Sequence, residues 1–240
     1  MIIKYKPQGQ TLGQLTREVQ EEIKNKICYI GRLDPLASGL VCFLVGDKCI
    51  NSRGRLHSDK TYCFNLILGI STDTGDALGL IQKMSAVDLG AVDVGAIIEK
   101  YNNYTYEQEY PMYSSYEIRA GGLKKPLWYF AKNGIPIDKI PTHSITIHQL
   151  ESTGEPTIIT SASYFIDQVA QVIEEKSRLR KDEVITQYCA LGPISLVSIP
   201  LIAKVNGGTY IRRLCEDIGA EYGIPAMADS IERVAYHFPQ

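Results

Sequence analysis

Residues 31–48 read GRLDPLASGLVCFLVGDK, and the fold turns on how this stretch divides. Its first half, Gly31-Arg32-Leu33-Asp34-Pro35-Leu36-Ala37-Ser38-Gly39, reads as a loop, with glycine at both ends where the backbone must turn. Pro35 fixes its own φ and biases Asp34 away from the helical region. The second half, Leu40 to Val45, is a short apolar run of the kind that forms a buried strand. The segment therefore holds a carboxylate in a stiff, tightly turned loop that leads into the core. Taken alone, an Asp-Pro pair in a glycine-bounded loop is most often turn chemistry, so the surrounding sequence has to carry any catalytic reading.

Upstream, Ile2 to Tyr5 reads as a short strand and Lys6-Pro7-Gln8-Gly9 as punctuation. Thr11 with Gln14 makes a capping-box pattern, and Leu12, Leu15, Val19 and Ile23 mark the apolar face of the helix it starts. Downstream, Asp47 to Lys60 reads as a polar loop. Tyr62 to Leu68 then reads as a strand with Tyr62, Phe64, Leu66 and Leu68 on one face. Ser163 to about Leu179 has helical periodicity, and the run beginning at Ile194 reads as a strand interrupted by Pro200. Thr209 to Tyr222 predicts a helix with Ile211, Leu214, Cys215 and Ile218 buried and Gly223 as its stop. Strands and helices without strict alternation predict an α+β fold with a mainly antiparallel sheet. Residues 1–240 are expected to form a single domain.

Composition narrows the function classes. A chain of 240 residues that is 45% hydrophobic builds a sizeable core. It shows no apolar run of membrane-span length and no signal-peptide start, which makes the cytosol the expected compartment. Cys28, Cys42, Cys49, Cys63, Cys189 and Cys215 lie in apolar segments without paired spacing and read as buried thiols. His57, His143, His148 and His237 supply no ligand cluster, so no metal is expected. Thr72-Asp73-Thr74-Gly75-Asp76 lacks the about 12-residue calcium-loop pattern, and Asp73 and Asp76 read as turn residues.

The net charge of −2 runs against a nucleic-acid binder in bulk. Two local clusters, Lys48, Arg53, Arg55 and Lys60, and Lys124, Lys125 and Lys132, read either as phosphate-binding patches or as solvated surface.

GRLDPLASGLVCFLVGDK resembles the catalytic segment of TruB-type pseudouridine synthases, and further blocks follow in that family's order. They are Lys6-Pro7-Gln8-Gly9, Ser58-Asp59-Lys60-Thr61-Tyr62, Leu68-Gly69 with Thr72 to Ala77, Pro111-Met112-Tyr113-Ser114-Ser115, and Gly208-Thr209-Tyr210-Ile211-Arg212. The resemblance implies a cofactor-free isomerisation of uridine in RNA, with uridine 55 of the tRNA T-loop as target and the T-arm as partner. In that chemistry Asp34 attacks the nucleoside covalently, the uracil is detached and turned, and a carbon–carbon glycosidic bond forms. The alternative is an RNA-binding or tRNA-folding protein that keeps the fold with little catalysis.

The resemblance also implies roles for single residues. Arg212 matches the arginine that pairs with the nucleophile; without the resemblance it reads as a solvated helix residue. Arg32, two positions from Asp34, competes for the same task. Tyr62 matches a tyrosine beneath the target base, although a tyrosine opening a strand also serves simply as packing. Lys6, Lys60, Tyr29 and Arg32 are expected on the RNA side. Ile231 matches a pocket-lining leucine, or is core. Two departures are visible: Tyr29 stands where the family has histidine, and Gly207 where it has lysine. The RNA-binding PUA domain common in bacterial members is expected to be absent.

Overall fold

The computed structural model of the protein describes residues 1–51, 58–172 and 180–239. The chain opens with strand β1 (Ile2–Lys6), helix α1 (Leu12–Ile23), strands β2 (Ile27–Ile30) and β3 (Ser38–Val45), and a short helix α2 (Lys48–Asn51). Then come β4 (Asp59–Leu68), β5 (Ile70–Thr72), β6 (Ile81–Met84), α3 (Val94–Tyr101), β7 (Tyr104–Glu109), and the hairpin β8 (Glu117–Ala120) and β9 (Leu123–Pro126). Helix α4 (Leu127–Lys132), β10 (Thr142–Ser152), β11 (Thr157–Ile159), α5 (Ser163–Gln171) and α6 (Lys181–Cys189) lead to β12 (Leu196–Val205), α7 (Ile211–Glu221) and β13 (Ala226–His237).

Among the described residues, nine strands form one sheet in the order β1-β3-β13-β4-β12-β10-β7, with β2 added beside β3 and β11 beside β12. Every pairing is antiparallel except the short parallel contact of Glu232 and Arg233 with Ser38 and Gly39. This is the predicted α+β architecture with a mainly antiparallel sheet. Gly39 shows how close β3 and β13 come: its φ is +109°, and a Cβ there would collide with the Arg233 backbone. Only glycine meets both demands.

The strand alternation separates two cores. Leu66, Leu68, Val197, Ile199, Leu201, Ala226 and Ala228 face α1, α3 and α7, together with Tyr62 and Phe64. The intervening Ile67, Leu196 and Met227 face α5 and α6. Each fully buried Leu or Ile contributes roughly 1.5–3 kcal/mol, so the β4 run alone is a strong anchor.

Helix α1 starts at the predicted capping box: Thr11 accepts from Gln14 N, and the Gln14 side chain accepts from Thr11 N at 2.6 Å. Leu12, Leu15 and Val19 are buried on its inner face. Helix α7 buries Ile211, Leu214, Cys215 and Ile218 and is followed by Gly223 at φ +67°.

Three expectations are corrected or bounded. β12 runs through Pro200 without a break, pairing it with Asn65. The Pro200 carbonyl accepts from Thr153 N at 3.0 Å, so its missing N–H points at the link between β10 and β11, where no ladder donor is needed. The presumed loop after Asp47 begins with helix α2, and residues 52–57, Arg53 and Arg55 among them, lie outside the described residues. The helix from Ser163 ends at Gln171, and the remainder of the predicted span, 173–179, is likewise outside them.

Candidate active site

Asp34 sits between β2 and β3 in a loop held from below by backbone contacts. Gly9 N donates to Pro35 O at 2.9 Å, and Ala37 N donates to Asp34 O at 3.1 Å, closing a turn around the carboxylate. Two buried cations reinforce it. Lys6 Nζ donates to Gln10 O (2.7 Å), Pro7 O (3.1 Å) and Pro35 O (3.2 Å). Arg233, fully buried on β13, donates from Nε to Leu40 O (2.7 Å) and from Nη1 and Nη2 to Arg32 O and Gly31 O (3.4 and 3.3 Å). The Tyr236 hydroxyl adds a stitch, donating to Ile30 O at 2.7 Å while accepting from Cys42 N. The loop that reads as stiff in sequence is held at the carbonyls of Gly31, Arg32, Asp34 and Pro35.

Above this base, helix α7 brings in Arg212. The preceding turn is pinned by the buried Gln108, whose Oε1 accepts from Tyr210 N at 2.9 Å and whose Nε2 donates to Tyr210 O. Arg212 Nε donates to Asp34 Oδ2 at 2.8 Å, Nη2 donates to Tyr113 O at 3.2 Å, and Nη1 donates to Thr74 O. The guanidinium is 4% exposed, whereas 36% of the Asp34 side chain remains accessible. A cation in the first turn of a helix opposes the helix dipole. Here the carboxylates reverse the balance: burial favours the neutral form of Arg212, but Asp34, Asp76 and Glu216 outweigh it and raise its pKa above the ordinary arginine value.

Asp76, predicted as a turn residue, is also part of this constellation. Its Oδ2 lies 3.8 Å from Arg212 Nε, and its Oδ1 accepts from Thr74 Oγ1 (2.7 Å) and Leu78 N (3.0 Å). Burial pushes its pKa up, Arg212 pulls it down, and Asp34 pushes it up again, leaving it above the ordinary carboxylate value. Two carboxylates thus share one guanidinium, one accessible and one sealed. Gly75 permits the approach: at φ +74°, a Cβ there would lie 2.6 Å from Glu216 Oε1.

Asp34, Leu36, Ala37, Asp76, Asp229 and Ile231 line a common hollow. A bulge in β13 between Asp229 and Glu232, with Ser230 at φ +49°, turns Ile231 into that lining. Asp229 is held by Tyr164 Oη at 2.7 Å and Ser230 Oγ at 2.8 Å.

The other sequence-selected residues divide. Arg32 does not reach Asp34; it donates to Tyr29 Oη at 2.9 Å and to Ser115 Oγ, leaving Arg212 as the partner of Asp34. Tyr29 is half-buried on β2 under the Arg32 guanidinium. Tyr62 is 7% exposed on β4, its ring in the core that also contains Leu33 and Ile211. Lys6 and Lys60, expected to face RNA, both turn inward. Lys60 Nζ donates to Ser58 O at 2.7 Å and lies 5.7 Å from the Tyr236 ring centre. Burial pushes both lysine pKa values down to about 8; Arg233 adds to this, while Asp34 offsets it for Lys6 and Asp59 for Lys60. Gly207 belongs to the same arrangement, since a Cβ there would stand 3.1 Å from Ser58 O and 3.6 Å from Lys60 Nζ.

Asp76, Tyr113, Gln108, Tyr210 and Arg233 were not selected for the site from sequence. Asp76, Tyr113 and Tyr210 lie inside the quoted blocks and Arg233 two residues from Ile231, so position was a signal, but nothing in residue type distinguished their roles.

Solved structures share this architecture. A Cbf5–Nop10–Gar1 complex matches with a TM-score of 0.53 at 16% identity, over 97% of this chain and 47% of that one. An archaeal box H/ACA Nop10–Cbf5 complex matches at 0.50 and 14%, over 97% and 46%. That likeness is one of fold. The TruB family pseudouridylate synthase N-terminal domain matches residues 17–160, and the chain belongs to that family. The tRNA pseudouridine synthase B of Azoarcus sp. (strain BH72) is 29% identical, over 96% of this chain and 62% of the relative. The proteins of the same name from Bacillus licheniformis and Idiomarina loihiensis are 28% and 30% identical, over 98% of this chain and 64% and 62% of their own lengths. The chain therefore spans about three fifths of the length of these relatives.

Proposed function

We propose that this chain carries the catalytic unit of an RNA pseudouridine synthase, with Asp34 as nucleophile and uridine 55 of the tRNA T-loop as target. The observation that carries the proposal is the asymmetry at Asp34: one oxygen takes a 2.8 Å hydrogen bond from an arginine whose side chain is 4% exposed, while 36% of the Asp34 side chain stays accessible to solvent. A nucleophilic carboxylate has to be ionised, oriented and reachable, and this arrangement meets all three needs. Family membership and the names of the relatives support RNA, and tRNA in particular, as the substrate.

The chemistry is an isomerisation and conserves atoms. The bond from the sugar to uracil N1 breaks, the carboxylate forms a transient covalent bond to the nucleoside, and the freed uracil turns. A carbon–carbon bond from the sugar to C5 then forms, the C5 proton leaves and N1 gains one, so no redox partner enters. In this proposal Tyr62 lies beneath the flipped base, Ile231 bounds its pocket, and Tyr29 and Arg32 meet the RNA at the rim. An aromatic floor partly restores the few kcal/mol lost when a base leaves its stack. The working compartment in this proposal is the cytosol, or the nucleus or an organelle in a eukaryote.

The test is direct mapping of pseudouridine in tRNA transcripts incubated with wild-type protein or Asp34→Asn. Modification at one uridine by the wild type alone is the expected result. Binding without modification by either protein would replace the synthase with the RNA-binding alternative.

A further inference from the structure

Three aromatic rings form a column beside the candidate site, in a region to which the proposed reaction assigns nothing. Tyr110 stacks on Tyr116 with centroids 3.7 Å apart and planes 15° off parallel, and on His143 with centroids 4.2 Å apart and planes 24° off. Tyr210 abuts Tyr110 and His143 edge-on, at 5.8 and 6.0 Å. The inner end is anchored, because His143 Nε2 lies 3.2 Å from Gly208 O in the turn that feeds Arg212 into place. The outer end is open: Tyr116 is 40% exposed.

Two links tie this column to Asp34. Arg32, in the Asp34 loop, donates to Ser115, the residue before Tyr116. Tyr210, at the base of the column, is close enough to Asp34 for its charge to act; burial and then Asp34 raise the Tyr210 pKa, keeping it a neutral phenol. Beyond Tyr116 the chain enters the β8–β9 hairpin, which exposes Arg119, Lys124 and Lys125. Of these, Lys124 also pairs with Glu117 at 3.1 Å.

We infer that the open face of Tyr116 is a stacking platform for an unpaired nucleobase flanking the target nucleotide, with the hairpin cations alongside for its phosphate. The inference rests on the RNA-modifying reading above and deepens it. A flat ring backed by two further rings loses little freedom on binding, and stacking on it is tolerant of base identity. Exposed cations next to an aromatic face are the pattern that single-stranded nucleic acid uses, backbone on the charges and base on the ring. The link of the column to Asp34 through Arg32 and Tyr210, together with the RNA-modifying reading above, favours RNA as the occupant.

The test uses the full chain carrying Asp34→Asn, which holds RNA without turnover, and a T-arm hairpin RNA with 2-aminopurine placed in turn at each loop position next to the target uridine. Quenching at one position is expected, together with a roughly tenfold weaker dissociation constant for Tyr116→Ala and near wild-type behaviour for Tyr116→Phe. Tyr116→Leu, which keeps apolar bulk without a π-face, is expected to follow the alanine variant. Equal quenching and affinity in wild type and Tyr116→Ala, with both folded by thermal melt, would overturn the platform. The two readings separate cleanly. Position-specific quenching without any isomerisation by the Asp34 protein leaves the platform standing and the synthase reading fallen; isomerisation indifferent to Tyr116 does the reverse.

Discussion

Arg212 and Arg233 are both buried, at 4% and 0% exposure, and they do opposite work. Arg212 meets two carboxylates as well as the carbonyls of Thr74 and Tyr113, and it sets the orientation of Asp34. Arg233 donates to three backbone carbonyls and sets the path of the loop that carries Asp34. The same guanidinium, at similar depth, thus orients a carboxylate in one place and clamps a backbone loop in the other. The partners decide, and burial does not.

The comparison breaks most sharply at the residue both arginines serve. Asp34→Asn is expected to abolish isomerisation while RNA binding stays within a few-fold, because shape survives and the nucleophile does not. Turnover near wild type, measured as pseudouridine per tRNA, would remove Asp34 from the mechanism. Next comes Arg212→Ala, expected to lower kcat/KM by at least about 30-fold, equivalent to about 2 kcal/mol of transition-state stabilisation. A loss below about threefold would dissolve the pairing as a functional one.

Arg233→Met moves the effect from rate to stability. Leaving the carbonyls of Leu40, Arg32 and Gly31 without a donor costs about 3 kcal/mol, or roughly 6–12 °C in Tm. The folded variant is expected to keep kcat/KM within about tenfold; a collapse of rate with unchanged Tm would mean that Arg233 acts on the reaction itself.

The smallest effect concerns Glu216, one turn along α7 from Arg212. Burial pushes its pKa up to about 7, partly offset by Arg213 and Arg212. A carboxyl whose folded pKa is raised binds more protons folded than unfolded between the two values, so it favours folding at low pH and loses that contribution as pH rises towards 7. Glu216→Gln is therefore expected to gain stability relative to wild type between pH 5 and pH 8, read by urea unfolding at each pH. Parallel pH profiles for the two proteins would remove Glu216 as the source of that slope.

Much of the scaffold was legible because local rules governed it. The Thr11 cap, the alternation of Tyr62, Phe64, Leu66 and Leu68, and the buried stripe of α7 are short-range patterns, and each appears where periodicity predicted it. Pro200 misled because a proline in a strand is harmless where the neighbouring strands leave a gap, and that gap is a property of the sheet. Lys6 and Lys60 misled for a related reason: lysines are normally solvated, and only the loop carbonyls packed above them in three dimensions explain their inward turn. In the site, a resemblance paired Asp34 with Arg212, and the structure then discriminated against Arg32 by giving it Tyr29 and Ser115 instead. Asp76 was hidden because a carboxylate in a Thr-Gly turn looks the same whether or not an arginine from α7 arrives beside it.

The clasp on the Asp34 loop joins residues about 200 positions apart, since Arg233 holds carbonyls at Gly31, Arg32 and Leu40. During synthesis the loop is made early and its clamp late. A nascent chain halted before β13 carries Asp34 and even Arg212, yet lacks the strand that holds the loop in place. The geometry of the Asp34 loop is thereby tied to completion of the sheet: Asp34 emerges long before the strand that clamps its loop.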